Sequence, residues 1–241
     1  MALENLTSTS KIASIAPDVV SIPSVVDWLA EGWVTPSLLL RTVKRSLDIV
    51  LSLVGLILVL PFLALALLVI AIESPGFPLY VQRRVGRYGA PFDLIKLRTM
   101  VPRAEERLIE CLASSAALME EWDRARKLRM DPRVTRVGRF LRRLSLDEIP
   151  QLINVLFGQM SLVGPRPVLS DEAPLFGGSL PLVLSVRPGL TGLWAVSGRS
   201  DLSYQERVAL EATYVRECSL RGDLSIIART IPWVLKGGGA Y

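Results

Sequence analysis

The stretch SLDEIPQL, residues 145–152, sets Asp147 and Glu148 side by side before Pro150 and the apolar run LINVLF. Two adjacent carboxylates have two readings. In one they start a helix: Asp147 is an N-cap, or Ser145 and Glu148 form an S-x-x-E capping box, and Pro150 falls in the first turn, where its missing N–H costs little. In the other they are a reactive pair. An ionised carboxylate is a nucleophile toward phosphorus and forms an acyl phosphate, while a neighbouring carboxylate holds Mg²⁺ against diphosphate oxygens. The neighbourhood favours chemistry. Nine basic residues fall between Arg124 and Arg143, and Arg142 and Arg143 lie within five residues of Asp147. Cations, helix-start amide donors and two carboxylates around one point suit a phosphate site with a metal better than a surface cap. Nearby cations are expected to keep Asp147 ionised.

Composition narrows the chemistry further. Half of the 241 residues are apolar, yet 21% are charged, a mixture that suits a membrane segment joined to a polar domain. A net charge of +5 calls for an anionic partner: a membrane surface, nucleic acid or a phosphorylated substrate. Arginine outnumbers lysine 23 to 5, which either reflects bidentate phosphate recognition or follows from a GC-rich genome. The absence of histidine removes imidazole acid–base chemistry and most zinc sites. Cys111 and Cys218 make no metal spacing and suit a reducing compartment. There is no GxxxxGK[ST] or GxGxxG before a helix, which argues against a kinase or P-loop enzyme. No helix-turn-helix, zinc or RNA-recognition signature accompanies the basic cluster, so no nucleic acid is expected as partner.

The elements that must position the carboxylates are these. Residues 1–40 are weakly patterned and read as an N-terminal extension, interfacial through Trp28 and Trp33 or else a poorly ordered tail. No signal peptide is recognisable there. Residues 49–72 carry no charge and are long enough to cross a hydrocarbon core. Pro61 should kink or break that helix. Basic residues flank it on both sides, Arg41, Lys44 and Arg45 before and Arg83, Arg84 and Arg87 after, and the positive-inside tendency wants both flanks in the cytoplasm. A segment that enters and returns meets that demand; a single-pass helix with a proline kink is the alternative. Beyond it, LYVQRRVG and PFDLIKLRTM read as extended pieces, 102–129 as an amphipathic helix, and a second helix is expected from Asp147. GPRP (164–167) is a rigid loop, RPGLTG (187–192) a turn before a strand-like LWAVSG. Helices follow over 202–218 and 223–236, the latter capped by Asp223.

Taken in order, KRSLDIVLS (44–52), VQRRVGRYGAPFDLIKLRTM (81–100), DPRVTRVGRFLRRLSLDEIPQLINVLFGQMSLVGPRP (131–167), RPGLTGLWAVSGR (187–199) and DLSIIARTI (223–231) strongly resemble the bacterial sugar transferases of the monotopic phosphoglycosyl transferase superfamily. The resemblance spans residues 41–235, with SLDEIPQ and SLVGPRP its most specific parts. It implies an α+β, mostly helical, monotopic protein: a re-entrant, Pro-broken membrane helix over 41–75 and a cytoplasmic catalytic domain over 76–241, at the bacterial inner membrane. It implies that Asp147 attacks the β-phosphate of a UDP-sugar, releasing UMP, and that undecaprenyl phosphate then takes the phosphosugar. Glu148 would hold Mg²⁺, Arg142 would contact phosphate, and Arg166 and Arg199 would line the nucleotide-sugar site. Lys96, in K-x-R-T-M, would act near it.

Some positions depart from the family pattern. Leu60 stands where Ser often precedes the central proline, Glu211 where Asp is usual and Tyr204 where Trp is usual. The four-helix membrane region of larger members is absent from this sequence. The competing expectation from another class is a membrane-attached scaffold that kept the fold and lost activity; the intact Asp147–Glu148 pair argues against it. The sugar, the glycan pathway and the oligomeric state, a homo-oligomer included, are left open.

Overall fold

The computed structural model describes residues 37–125, 128, 130–199 and 202–236. Trp28 and Trp33 lie outside them, as do most of the 1–40 extension and the glycines at 237–239.

Ser37 starts α1 (Leu38–Glu73), its Oγ accepting from the Leu40 N–H at 3.2 Å. Pro75 ends it: a residue before proline is pushed to extended backbone, and Ser74 sits at φ −141°, ψ 118°. The break expected at Pro61 is not present, because the helix runs through that residue as one element. Pro61 lies on the exposed face. The turns on either side are held by the rest of the protein, Gly55 beside Leu152 before it and Leu63, Ala66, Leu67 and Ile70 against Leu97 and Leu141 after it. That packing offsets the ~3 kcal/mol cost of a proline inside a helix.

Lys44, Asp48, Ser52 and Gly55, then Leu63, Ala66, Ile70 and Glu73, recur at three- and four-residue intervals and form the stripe that faces protein. The opposite stripe, including Leu47, Val50, Val54, Ile57, Leu65 and Leu68, is exposed. By length and composition, α1 is the described helix able to cross a membrane. Both of its ends bind the same body. At the start, Lys44 Nζ pairs with Asp223 at 2.5 Å and Arg45 donates to the carbonyls of Val155 and Leu156 at 2.6 and 2.8 Å. At the end, the Glu73 carboxylate accepts from the Val137 N–H at 3.1 Å.

β1 (Leu79–Val85) and β2 (Pro91–Leu97) form an antiparallel hairpin, in register from Leu79 opposite Leu97 to Val85 opposite Pro91. Phe92 and Leu94 enter the core with Val155 and Met160, and alternation places Lys96 on the same face. The amphipathic helix expected over 102–129 is two helices, α2 (Ala104–Ser114) and α3 (Ala116–Ala125), divided where Ser115 is extended at φ −149°. Thr135 caps α4 (Arg136–Arg143) by accepting from the Gly138 N–H at 2.9 Å. The helix expected from Asp147 starts later: Leu146–Glu148 is a single 3₁₀ turn, and α5 runs from Gln151 to Leu156. Asn154, buried in α5, donates to the Asp93 carbonyl at 2.7 Å and accepts from the Ile95 N–H at 3.1 Å, fixing β2 to the carboxylate segment.

β3 (Ser161–Val163) pairs in parallel with a strand from the RPGLTG segment, β4 (Gly189–Thr191), after the short α6 (Leu180–Leu184). A Cβ on Gly189 would lie 2.1 Å from the Gly164 nitrogen, so the close crossing of these backbones requires glycine. The turn-then-strand reading of 187–198 is therefore reversed, since Leu193–Val196 is the helical turn α7. A capping box between Ser203 and Glu206 opens α8 (Tyr204–Arg216), and α9 (Leu220–Lys236) follows. Asp223 is not the cap expected of it: it sits inside the first turn of α9, its carboxylate buried against Lys44 and Tyr214. The architecture is α+β and mostly helical, with two two-stranded sheets among the described residues.

Candidate active site

Asp147 and Glu148 project from the 3₁₀ turn between α4 and α5. The capping reading fails here. Ser145 is left-handed at φ 54° and makes no cap bond; its Oγ accepts instead from Arg199 Nη2 at 3.0 Å. Arg199 is also left-handed, at φ 51°. Two non-glycine residues in that region, bonded to each other, cost ~1–3 kcal/mol each, and such strain gathers at functional sites. The carboxylates are thereby left for other work. Glu148 Oε1 accepts from Lys96 Nζ at 3.0 Å, while the Asp147 carboxylate bonds to no other residue among those described.

The basic residues expected around the pair converge on it. Arg142, at the end of α4, donates Nε–H to Thr99 Oγ1 at 2.8 Å and lies within electrostatic reach of Asp147. Arg166, from the loop after β3, stacks over the Trp194 ring at 5.4 Å and acts on Glu148 together with Arg199. Its Nε is buried without a partner among the described residues. Arg124 and its neighbours in the basic run lie where side chains are not described.

Electrostatics separates the two acids. Burial pushes the Asp147 carboxyl up to about 6, and the Glu148 charge adds to the rise, against Lys96 and Arg142. The expectation that cations hold Asp147 low is thus corrected: desolvation and a like charge outweigh them. Burial also opposes ionisation of Glu148, but Lys96, by charge and hydrogen bond, then Arg166 and Arg199, hold it below the usual range.

Among the described residues no three metal-ligating side chains converge. Mg²⁺ needs no such cage, since it takes one or two carboxylates and completes its shell with water and substrate phosphates. Glu148 fits that role. Its Oε2 takes no hydrogen bond among the described residues, and Asp147 stands beside it.

The family profile described as "Bacterial sugar transferase" matches residues 39–237. The chain belongs to the bacterial sugar transferase family. This sugar transferase is 46% identical over 198 residues to the "Exopolysaccharide production protein ExoY" of Sinorhizobium fredii, covering 82% of the chain and 88% of that relative. It is 40% identical over 221 residues to the "UDP-glucose:undecaprenyl-phosphate glucose-1-phosphate transferase" of Caulobacter vibrioides, covering 88% and 77%. It is 45% identical over 201 residues to the "Undecaprenyl-phosphate galactose phosphotransferase" of Salmonella typhimurium, covering 83% of this chain but 42% of that longer protein. By this kinship the sugar transferase is an enzyme of the phosphotransferase class.

Thr99 and Trp194 were not singled out from the sequence of this sugar transferase, and Ser145 was read there only as part of a capping box. Thr99 lies in K-x-R-T-M and Trp194 in LWAVSGR, so both stood inside quoted motifs without a spacing that marked them. Gly138 is part of the same arrangement. A Cβ there would lie 2.1 Å from the Thr99 carbonyl oxygen, which also accepts from the Thr135 N–H at 3.0 Å. Gly138→Ala is expected to push α4 off Thr99, costing about 1–3 kcal/mol by overpacking. Displacing Arg142 should cost a further ~10²-fold in turnover. Chemical denaturation and steady-state rates check both; an unchanged rate would detach Arg142 from the site.

Proposed function

We propose that this enzyme moves a sugar-1-phosphate from a UDP-sugar to undecaprenyl phosphate, through a covalent phosphosugar on Asp147, as the first membrane step of polysaccharide or glycoconjugate assembly. The observation that carries this is a withdrawn carboxylate with no bonding partner of its own among the described residues, set beside a Lys96-paired Glu148 and ringed by Arg142, Arg166 and Arg199. The printed names of the Salmonella and Caulobacter relatives carry undecaprenyl phosphate, which supports the acceptor.

In the first half-reaction an Asp147 oxygen forms a bond to the β-phosphorus, and the bond from that phosphorus to the bridging oxygen breaks. UMP leaves with the electron pair. In the second, a phosphate oxygen of undecaprenyl phosphate attacks the same phosphorus, the bond to Asp147 breaks, and the carboxylate is restored. Arg142 and Arg166 face charge moving onto phosphate oxygens, where fixed cations stabilise a transition state most. Lys96 holds Glu148 ionised and oriented. Glu148 would hold Mg²⁺, which when bound would neutralise charge on the diphosphate.

A lipid acceptor requires a site at the bilayer surface. The exposed apolar stripe of α1 supports its lying in the hydrocarbon region, and the packing of both its ends on one body supports a re-entrant path, for which Pro61 would bend the helix without breaking it. Basic flanks on both sides support a cytoplasmic catalytic domain, where nucleotide sugars are made.

The test is UMP release by the full chain in lipid discs with undecaprenyl phosphate, Mg²⁺ and a panel of UDP-sugars. Release with one donor, abolished by chelation, is expected. A folded protein that releases UMP with none of them, or that works equally well without the lipid phosphate, would overturn this function.

A further inference from the structure

We infer that a second anion site, separate from the carboxylate pair, lies at the N-terminal end of α1 and takes the phosphate headgroup of an anionic membrane phospholipid. The inference rests on the reading above that α1 lies in the bilayer.

A cavity of about 50 Å³ is enclosed there by Arg41, Lys44 and Arg45 of α1, by Arg87 from the β1–β2 turn and by Arg187 before β4. That is several times what one water needs, roughly 10–15 Å³, and enough for a phosphate group. None of Lys96, Arg142, Asp147, Glu148, Arg166 or Arg199 lines it.

The charges do not balance. Lys44 is neutralised by Asp223 at 2.5 Å, and Asp48 is the one carboxylate in the lining among the described residues, so among them four guanidiniums face one acid. That acid is itself buried, and its carboxyl is pushed up by burial despite the Leu162 N–H and the nearby cations. The guanidiniums bond to neutral carbonyls: Arg45 to Val155 and Leu156, Arg87 Nε to Ser185 at 3.1 Å, Arg187 Nε to Gly158 at 2.7 Å. Such bonds fix their positions without cancelling their charge. Burial and then the charges of Arg87 and Arg45 push the Arg187 guanidinium down, the mark of like charges forced together. The Arg41 Nε is buried with no partner among the described residues. Gathering like charges around a cavity is unfavourable unless an anion fills it.

Position identifies the anion's source. Arg41 and Arg45 immediately precede the exposed Leu47, Ile49, Val50 and Leu51 of α1, so with the apolar stripe in hydrocarbon they, and the cavity they line with Arg87 and Arg187, stand at headgroup depth. A phosphodiester there reaches the cavity while its chains stay beside α1. Juxtamembrane cations attract anionic lipid by ~1 kcal/mol each, about fivefold in affinity.

Two measurements on the full chain separate this inference from the reading it depends on. Flotation with vesicles of phosphatidylcholine alone tests α1: the protein is expected to float, and failure would overturn the membrane placement and the lipid site with it. Thermal unfolding in uncharged detergent micelles, titrated with phosphatidylglycerol, phosphatidylcholine or inorganic phosphate, tests the cavity. Phosphatidylglycerol is expected to raise the melting temperature saturably and phosphatidylcholine is not. Arg187→Gln and Arg41→Gln should each weaken the phosphatidylglycerol response about fivefold; Arg41 makes no side-chain hydrogen bond among the described residues, so that variant keeps the fold. Charge-matched Arg103→Gln, on an exposed turn and 3.7 Å from Glu106, should leave the response unchanged. An equal loss in Arg103→Gln would reduce the effect to diffuse attraction and overturn the site. Full protection by inorganic phosphate alone, lost in the pocket variants, would overturn the lipid as its source.

Discussion

Asp147→Asn is expected to release no UMP above background, a loss of at least ~10³-fold, as removal of a covalent nucleophile produces. Incubated with donor but no acceptor, the native enzyme should gain the mass of a phosphosugar and the variant should not. The fold should not suffer, since the Asp147 carboxylate bonds to no other residue among those described. Its stability should even rise. Burial and Glu148 raise the folded-state pKa of Asp147 to about 6 from 3.8, so the fold disfavours the charged form. The native protein therefore gives up stability as pH climbs from about 4 through 6, while the neutral amide does not. Without donor or Mg²⁺, the variant should melt at or above the native temperature at pH 8, with the gap closing below pH 4. A group kept at a cost to the fold is one kept for reactivity. UMP release at the native rate by Asp147→Asn would remove the covalent aspartate and leave direct transfer between the substrates.

Local patterns were legible where local physics decides. The uncharged run at 49–72 is helical, and the pieces at 79–85 and 91–97 form a hairpin because their alternation serves one buried face. Misreadings came where a distant residue outbids a local rule. Ser145 has the spacing of a capping box, yet Arg199, 54 positions away, takes its hydroxyl. Asp223 has the look of an N-cap, yet Lys44, 179 positions away, and Tyr214 claim its carboxylate. Pro61 breaks helices in isolation, but both flanking turns of α1 are packed. The local rules are worth about 1 kcal/mol for a cap, and tertiary contacts exceed that readily.

The candidate site was legible in part for the same reason. Asp147 and Glu148 stood out as adjacent acids after a basic run, and resemblance supplied Arg142, Arg166, Arg199 and Lys96. No spacing rule reveals that Lys96 meets Glu148 across 52 residues. Nor could sequence give the rise in the Asp147 pKa: charge counting favours ionisation, and only the fold shows how far the carboxyl is withdrawn from water.

Asp223→Ala should be the most damaging substitution away from the carboxylate pair. Its Oδ2 accepts from Lys44 Nζ at 2.5 Å and its Oδ1 from Tyr214 OH at 2.8 Å, while Lys44 also donates to the Val163 carbonyl at 2.9 Å. One carboxylate thus joins α1, α8, α9 and β3, and its residue is 6% exposed. Deleting it leaves the ammonium group, among the described residues, with only neutral hydrogen-bond acceptors and the more distant charge of Asp48, at a cost of ~3–5 kcal/mol for breaking a buried pair. Because the desolvation penalty belongs to the unpaired charge, Lys44→Met combined with Asp223→Leu should recover much of the loss, so the cycle should be strongly non-additive. Denaturant unfolding in detergent micelles measures all four proteins. The network lies at the far end of α1 from the Leu97–Leu141 packing, so the single variant should still turn over donor at low temperature and fail on warming. A stability within about 1 kcal/mol of native would mean that Lys44 finds solvent, and that α1 is held to the rest of the protein by Arg45, Glu73 and the packing of Leu63, Ala66, Leu67 and Ile70.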